Sequence, residues 1–341
     1  MRRLIAVLLL TALLLSGCAG AGEQPQKQYT ATFLTLFDTV TTIKGRADSE
    51  EAFTQTAQQI YDELLVYHQL FDVYNDYEGV NNLKTVNDAA GVSPVEVDRK
   101  IIDLLLFCRE AYDVTGGKVN AAMGSVLSLW HEARNDSLDD PLNAYLPDQA
   151  KLEEAALHTD FDAVIIDEEA STVYLTDPAM GLDVGAIAKG WAAEQAAKNA
   201  PEGLLLSVGG NVRATGAKDD SGTPWVVGIQ DPDNAEAYLH TLYMTGGSLV
   251  TSGDYQRTYT VDGVEYHHII DPDTLYPSEY WSSVTIVCGD SGIADALSTA
   301  LFLLPQEEGQ KLLDRYGAEA LWVDREGNLF YSPGFKDLIR T

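Results

Sequence analysis

Cysteine is scarce in this chain, with three among 341 residues. That excludes a small scaffold stapled by several disulfides. Basic residues are also few: 22 lysines and arginines face 52 aspartates and glutamates, for a formal net charge of −30. Nucleic acid, which needs a basic footprint, is therefore excluded as a partner. Long apolar runs are missing too. The strongest, Ile5 to Leu15, falls short of the roughly 20 residues that a spanning helix needs. There is no internal repeat and no long disordered segment, so the chain is neither a solenoid nor a flexible arm.

The N-terminus carries a targeting signal. Arg2 and Arg3 precede the apolar run, which ends in Leu15-Ser16-Gly17-Cys18, the pattern of a bacterial lipobox. Residues 1–18 read as a lipoprotein signal peptide ending at Cys18, whose thiol would carry the lipid. Acyl chains gathered on one cysteine make a firm membrane anchor. Residues 19–28 read as a polar tether, and residues 29–341 as the working domain, held outside the cytoplasm on the bacterial cell membrane. Losing Arg2 and Arg3 takes the net charge from −30 to −32. The other cysteines, Cys108 in an apolar helix and Cys288 in an apolar strand, read as small core residues. A disulfide between them is left open.

Residues 30–46 alternate in strand fashion. Ser49 to Leu70 is an amphipathic helix with Ser49 as its N-cap. Helices are expected at 101–112, 121–133 and 148–157, with a surface loop at 135–147 and a hairpin at 161–167 and 172–175. An alanine-rich helix covers 187–198. Strands follow at 204–208, 225–230, 239–244, 248–251, 255–260, 264–270 and 283–288. Helices return at 293–304 and 306–316, and a final strand pair covers 320–323 and 329–331. Helices and antiparallel hairpins mix without a strict βαβ period, so the fold class is α+β.

Several blocks carry chemistry. In Leu182-Asp183-Val184-Gly185-Ala186-Ile187-Ala188-Lys189-Gly190, a glycine stands at a strand-to-helix junction. The helix start offers free N–H groups and Lys189 adds a cation, which suits a pyrophosphate as well as it suits an ordinary helix start. Gly209 and Gly210 end an apolar strand. They read either as a tight turn or as a place where backbone meets a flat ring or a phosphate. Asp295 and Thr299 share one helix face and could hold a hard divalent cation through oxygen, although such a pair alone is usually a solvated face. The densest stretch runs from Thr251 to Pro272. It holds Ser252-Gly253-Asp254-Tyr255, a hairpin, and then His267, His268 and Asp271.

In their order and detail these blocks resemble the ApbE family of FAD:protein FMN transferases, from about Thr30 to Tyr331. Asp183 to Gly190 matches D-L-G-x-I-A-K-G with Val184 for leucine. Ser252 to Tyr255 matches S-G-D-Y unchanged. His268-Ile269-Ile270-Asp271-Pro272 matches H-I-x-D-P, and Ala294 to Leu301 matches A-D-A-L-A-T-A-L at nearly every position. Departures lie at Asn211 for aspartate and Leu275 for glycine. Others fall in Thr115 to Ala122, where Val119, Asn120 and Ala122 replace phenylalanine, aspartate and threonine.

The resemblance implies an ApbE-like fold with the FAD site between its two halves. It implies FAD as substrate and Mg²⁺ as cofactor, with FMN moved onto a threonine or serine of a flavin-acceptor subunit in a membrane redox complex and AMP released. Asp295, Thr299 and the main-chain carbonyl of Ala186 would be metal ligands. His268 would be the base that takes the acceptor proton and would also face FAD. Cofactor contacts would come from Phe37, Tyr74, Lys118, Val119, Asn120, Asp183, Lys189, Gly209, Gly210, Ser252, Gly253 and Asp254. The cation would also ease the approach of an anionic nucleotide to so acidic a protein. Two other readings keep the same site: a Mg²⁺-dependent FAD pyrophosphatase, and a flavin-binding lipoprotein without turnover.

Overall fold

The structure is a computed structural model that describes residues 26–341. The expected signal peptide, Cys18 and all but the end of the expected tether lie outside the described residues. None of the described helices is long and apolar enough to cross a membrane.

The chain opens with a hairpin, β1 (Lys27–Leu36) and β2 (Thr39–Ala47), where one alternating run had been expected. The turn has no glycine. Phe37 and Asp38 both take φ near +52°, a left-handed conformation that costs an ordinary residue about 1–2 kcal/mol. α1 (Glu50–Phe71) follows, and the Ser49 hydroxyl caps it by accepting from Ala52 N–H at 3.1 Å. Next come α2 (Leu83–Asp88), β3 (Val95–Glu96), α3 (Arg99–Val114), α4 (Gly124–Asp139) and α5 (Gln149–Ala156). α4 starts at 124 rather than 121, because the Asn120 carboxamide accepts from Ala122 N–H at 2.8 Å and holds a turn there. It also runs to 139, and a short 3₁₀ turn at 141–143 follows, in a segment expected to be loop.

β4 (Val164–Asp167), β5 (Thr172–Leu175), α6 (Ala188–Asn199), β6 (Leu204–Val208) and β7 (Asn211–Ala214) come next. β6 and β7 pair through the two-residue Gly209-Gly210 turn, in which both φ angles are positive. Then follow β8 (Trp225–Asp231), β9 (Asn234–Met244), β10 (Gly247–Gly253), β11 (Tyr259–Val261), β12 (Val264–Tyr266) and β13 (Ser283–Cys288). The chain closes with α7 (Ser291–Phe302), α8 (Gln306–Tyr316), β14 (Glu319–Val323) and β15 (Leu329–Tyr331). The β11–β12 ladder is shorter than the expected 255–260 and 264–270. Residues on both sides leave it to line a cavity.

Eight strands form one sheet in the order β1-β2-β6-β7-β10-β13-β14-β15, and smaller sheets are β3-β5-β4, β8-β9 and β11-β12. Every strand pair is antiparallel, which makes the fold α+β. Strand periodicity feeds two cores. Val250, Ala320 and Trp322 face one side, where α1, α3, α6 and α7 pack, while Leu249 and Leu321 face the side covered by β8 and β9. A third cluster joins α4 and α5 to the β11–β12 hairpin through Trp130, Leu152, Tyr259 and Leu275. Cys108 and Cys288 are free and buried, so the disulfide left open by the sequence is not formed. Burial raises the pKa of both thiols.

Candidate active site

A cavity of about 440 Å³ opens where the first hairpin, the end of α1, α4, α6 and α7 converge. Its wall draws on both halves of the chain, from Phe37 to Leu303.

Asp295 lies at its floor, 4 % exposed. One carboxylate oxygen, Oδ2, accepts from Gly190 N–H at 2.8 Å. A carboxylate on α7 therefore caps the first turn of α6, whose own flanking residue supplies no side-chain cap. Only glycine permits this approach: a Cβ on residue 190 would sit 2.3 Å from Ser291 O and 2.4 Å from Asp295 Cβ. Lys189 Nζ is 3.8 Å from the same carboxylate. Burial pushes the Asp295 carboxyl up, while Lys189, the Gly190 N–H and the nearby Asn211 amide pull it down. The Asn211 amide favours the carboxylate from a distance, but its buried Nδ2 has no well-formed hydrogen bond among the described residues. An unsatisfied buried donor of this kind costs about 1–3 kcal/mol and is suited to an arriving acceptor oxygen. Thr299, one turn along α7, and Ala186 also face the cavity.

Among the described residues, no group of three or more His, Cys, Asp or Glu side chains is arranged to hold a metal ion. A cation here would rest on one carboxylate, one hydroxyl and one main-chain carbonyl. That all-oxygen set fits a hard divalent ion. Ser298 braces the wall: its hydroxyl pairs with Ser252 Oγ at 2.8 Å and donates to Asp295 O at 2.9 Å.

His268 enters from the segment after β12. Its Nδ1–H donates to Gln256 O at 3.0 Å, which leaves Nε2 as the unprotonated nitrogen. Burial, then the charges of Arg257 and Lys189, push its pKa down to about 3, and the imidazole is neutral. His267 points elsewhere. Its Nε2 donates to Ser278 O at 2.9 Å, its Nδ1 accepts from Ile269 N–H at 3.2 Å, and its ring packs edge-on against Phe302. Of the two adjacent histidines, only His268 lines the cavity.

At the mouth, Tyr74 exposes 56 % of its surface and hydrogen-bonds through its hydroxyl to His131 Nδ1. Asp72 fixes the Tyr74 loop by accepting from Tyr74 N–H at 2.7 Å and from Tyr77 OH at 2.7 Å. Phe37 packs edge-on against His68. The Asp183 carboxylate accepts from Gly185 N–H at 2.8 Å and so shapes the turn into α6.

Lys118 serves the turn after His268. Its ammonium bonds Asp271 at 2.7 Å and Asp273 at 2.8 Å. Leu275, the departure from glycine, still adopts φ +62°. It is buried, and its carbonyl accepts from Trp130 Nε1 at 3.0 Å. Packing therefore holds a strained leucine where glycine would be relaxed. Leu275→Ala should destabilise the fold by about 2–5 kcal/mol, because it loses burial and keeps the strain. Leu275→Gly should be the milder change by about 1 kcal/mol. Urea denaturation of the two variants checks that order.

Fourteen of the residues expected at the site line this cavity: Phe37, Tyr74, Lys118, Val119, Asn120, Asp183, Ala186, Lys189, Gly209, Ser252, Gly253, His268, Asp295 and Thr299. Gly210 and Asp254 do not. Gly210 is the outer residue of the β6–β7 turn, and Asp254 turns toward Ser282 and Arg325. Asn120 spends its carboxamide on Ala122 N–H and Thr159 O. His131, Arg257 and Gln256 were not foreseen, since no motif marks them and only the fold brings them to the wall.

The pattern of the ApbE family matches residues 37–322. A protein of Klebsiella pneumoniae named FAD:protein FMN transferase is 33 % identical over 275 residues, covering 77 % of this chain and 83 % of its own. One of the same name from Treponema pallidum is 35 % identical over 278 residues, covering 76 % of this chain and 75 % of its own. The crystal structure of an ApbE protein from Thermotoga maritima superposes with a TM-score of 0.80 at 30 % identity, covering 92 % of this chain and all (100 %) of that one.

Proposed function

The chain belongs to the ApbE family, and from that premise we propose that it is an FAD:protein FMN transferase. The observation that carries the reading is the convergence of His268, Asp295 and the start of α6 on one cavity. The reaction joins an acceptor hydroxyl oxygen to the FMN phosphorus and breaks that phosphorus's bond to the bridging oxygen, which leaves with AMP.

His268 is suited to accept the hydroxyl proton. Its Nδ1–H is committed to Gln256 O, so Nε2 is the free acceptor. The positive end of α6 and the Lys189 ammonium face the cavity and favour a pyrophosphate there. Tyr74 and Phe37 offer ring faces at the mouth on which a flavin or adenine could stack. Asp295, Thr299 and the Ala186 carbonyl would hold Mg²⁺, which when bound offsets pyrophosphate charge and polarises the bond to be broken. The lipobox at Leu15 to Cys18 supports a lipid-anchored enzyme outside the cytoplasm, beside membrane redox complexes whose flavin-carrying subunits would be its acceptors.

The test uses protein lacking residues 1–18 with FAD, Mg²⁺ and a candidate acceptor domain. AMP release with an FMN-sized mass gain on the acceptor is expected. AMP with free FMN and no adduct would replace transfer by hydrolysis. FAD that stays intact beside a competent acceptor would leave a binding protein.

A further inference from the structure

Three cationic side chains line the cavity: Lys118, Lys189 and Arg257. Lys118 is held by two carboxylates, and Lys189 lies between Gly185 O and Asp295. Arg257 has no carboxylate within salt-bridge distance and no side-chain hydrogen bond among the described residues. Among the described cationic residues that line the cavity, it is the one whose charge is left free for a ligand. Its backbone is also special. Arg257 adopts φ +51° in the turn between β10 and β11, where glycine would be relaxed. Such strain persists only where the surroundings enforce it, and it gathers at functional sites. The turn is the same one whose Gln256 carbonyl orients His268. Arg257 lines the same cavity as His268, Tyr74 and His131.

We propose that Arg257 is a catalytic residue that grips the non-bridging oxygens of the phosphoryl group carried on the riboflavin side of FAD, the group under attack. The assignment rests on the transferase reading, because the base marks the side from which the acceptor oxygen arrives. The planar guanidinium presents paired N–H donors that match phosphate, and His268 beside it receives the proton. As the new oxygen–phosphorus bond forms and the bond to the bridging oxygen breaks, charge on the held oxygens stays faced by a fixed cation.

FMN and riboflavin separate the phosphate from the ring and need no turnover. Binding of each is read by flavin fluorescence for the wild type, Arg257→Gly and Arg257→Lys. Arg257→Gly removes the guanidinium and relaxes the backbone, so the folded state is kept. The expected result is FMN affinity about 10- to 100-fold weaker in Arg257→Gly, with riboflavin affinity unchanged and Arg257→Lys between the two. AMP release from FAD should fall about 10²- to 10³-fold in Arg257→Gly. FMN affinity within threefold of the wild type, a parallel fall for riboflavin, or no FMN binding by the wild type overturns the proposal. A wild type that binds FMN in this pattern but releases no AMP would remove the transferase reading and leave the phosphate grip standing.

Discussion

Asp295→Asn should stop AMP release from FAD almost completely, by about 10³-fold or more, while the protein stays folded. A cation on the reacting pyrophosphate contributes several kcal/mol at the transition state, and each 1.36 kcal/mol is about tenfold in rate. Asparagine keeps an oxygen for the Gly190 N–H and gives up the charge that a divalent ion needs. Stability should move the other way. Burial holds the Asp295 carboxyl above its ordinary range, so the folded protein binds a proton there more readily than the unfolded chain. The ionised group therefore opposes folding increasingly as pH rises above the ordinary carboxyl value of about 4. Without metal at neutral pH, Asp295→Asn should melt at or above the wild type, with the gap closing below about pH 4. Asp295→Ala also loses the Gly190 hydrogen bond and should lie about 1–2 kcal/mol below Asp295→Asn. Chromatography of AMP and thermal melts with and without Mg²⁺ check both halves. Wild-type turnover in either variant would remove Asp295 as a metal ligand.

His268→Asn should slow transfer by about 10²- to 10⁴-fold with FAD still bound, the loss expected when a positioned base is removed. The pH behaviour has a definite sign. Burial, then the charges of Arg257 and Lys189, hold the imidazole's pKa at about 3 instead of 6.5, although the hydrogen bond to the Gln256 carbonyl pulls the other way. Between those values the unfolded chain takes a proton that the folded protein refuses. His268 thus contributes stability that is present above about pH 6.5 and is lost as pH falls toward 3. The acid side of the wild-type stability profile should be steeper than that of His268→Asn. Urea midpoints from pH 4 to 7 test this, and superimposable profiles would contradict the neutral imidazole. Full transfer rates in the variant would remove His268 as the base.

Much of the fold was legible where one physical signal dominated. The Ser49 cap and the apolar stripe of Ile60, Leu64 and Tyr67 marked α1, and the β-branched run at Ser283 to Cys288 marked β13. Misreadings fall where tertiary contacts override local pattern. The 30–46 run hid a hairpin because its turn is made by Phe37 and Asp38 rather than by glycine. The hairpin of β11 and β12 is shorter than its alternating sequence, since Gln256, Arg257 and His268 are drawn to the cavity instead of the ladder. The site follows the same rule. Asp183, Lys189, His268, Asp295 and Thr299 each lie in a short contiguous block and could be found by motif. His131 has meaning only beside residues far along the chain, while Arg257 lies just past the Ser252 to Tyr255 block and reaches the wall through the turn between β10 and β11.

The pairing of β2 with β6 sets Thr41 against Val208, and the cavity wall continues to Leu303. A chain emerging N-terminus first has no flavin site until most of its length is out. Were the chain to cross the membrane unfolded behind the proposed signal peptide, it would do so before it could grip a nucleotide and could not bring FAD along as cargo. Export of the enzyme and delivery of its substrate would then be separate supply lines. An organism using this protein outside the cytoplasm has to move FAD there by other means.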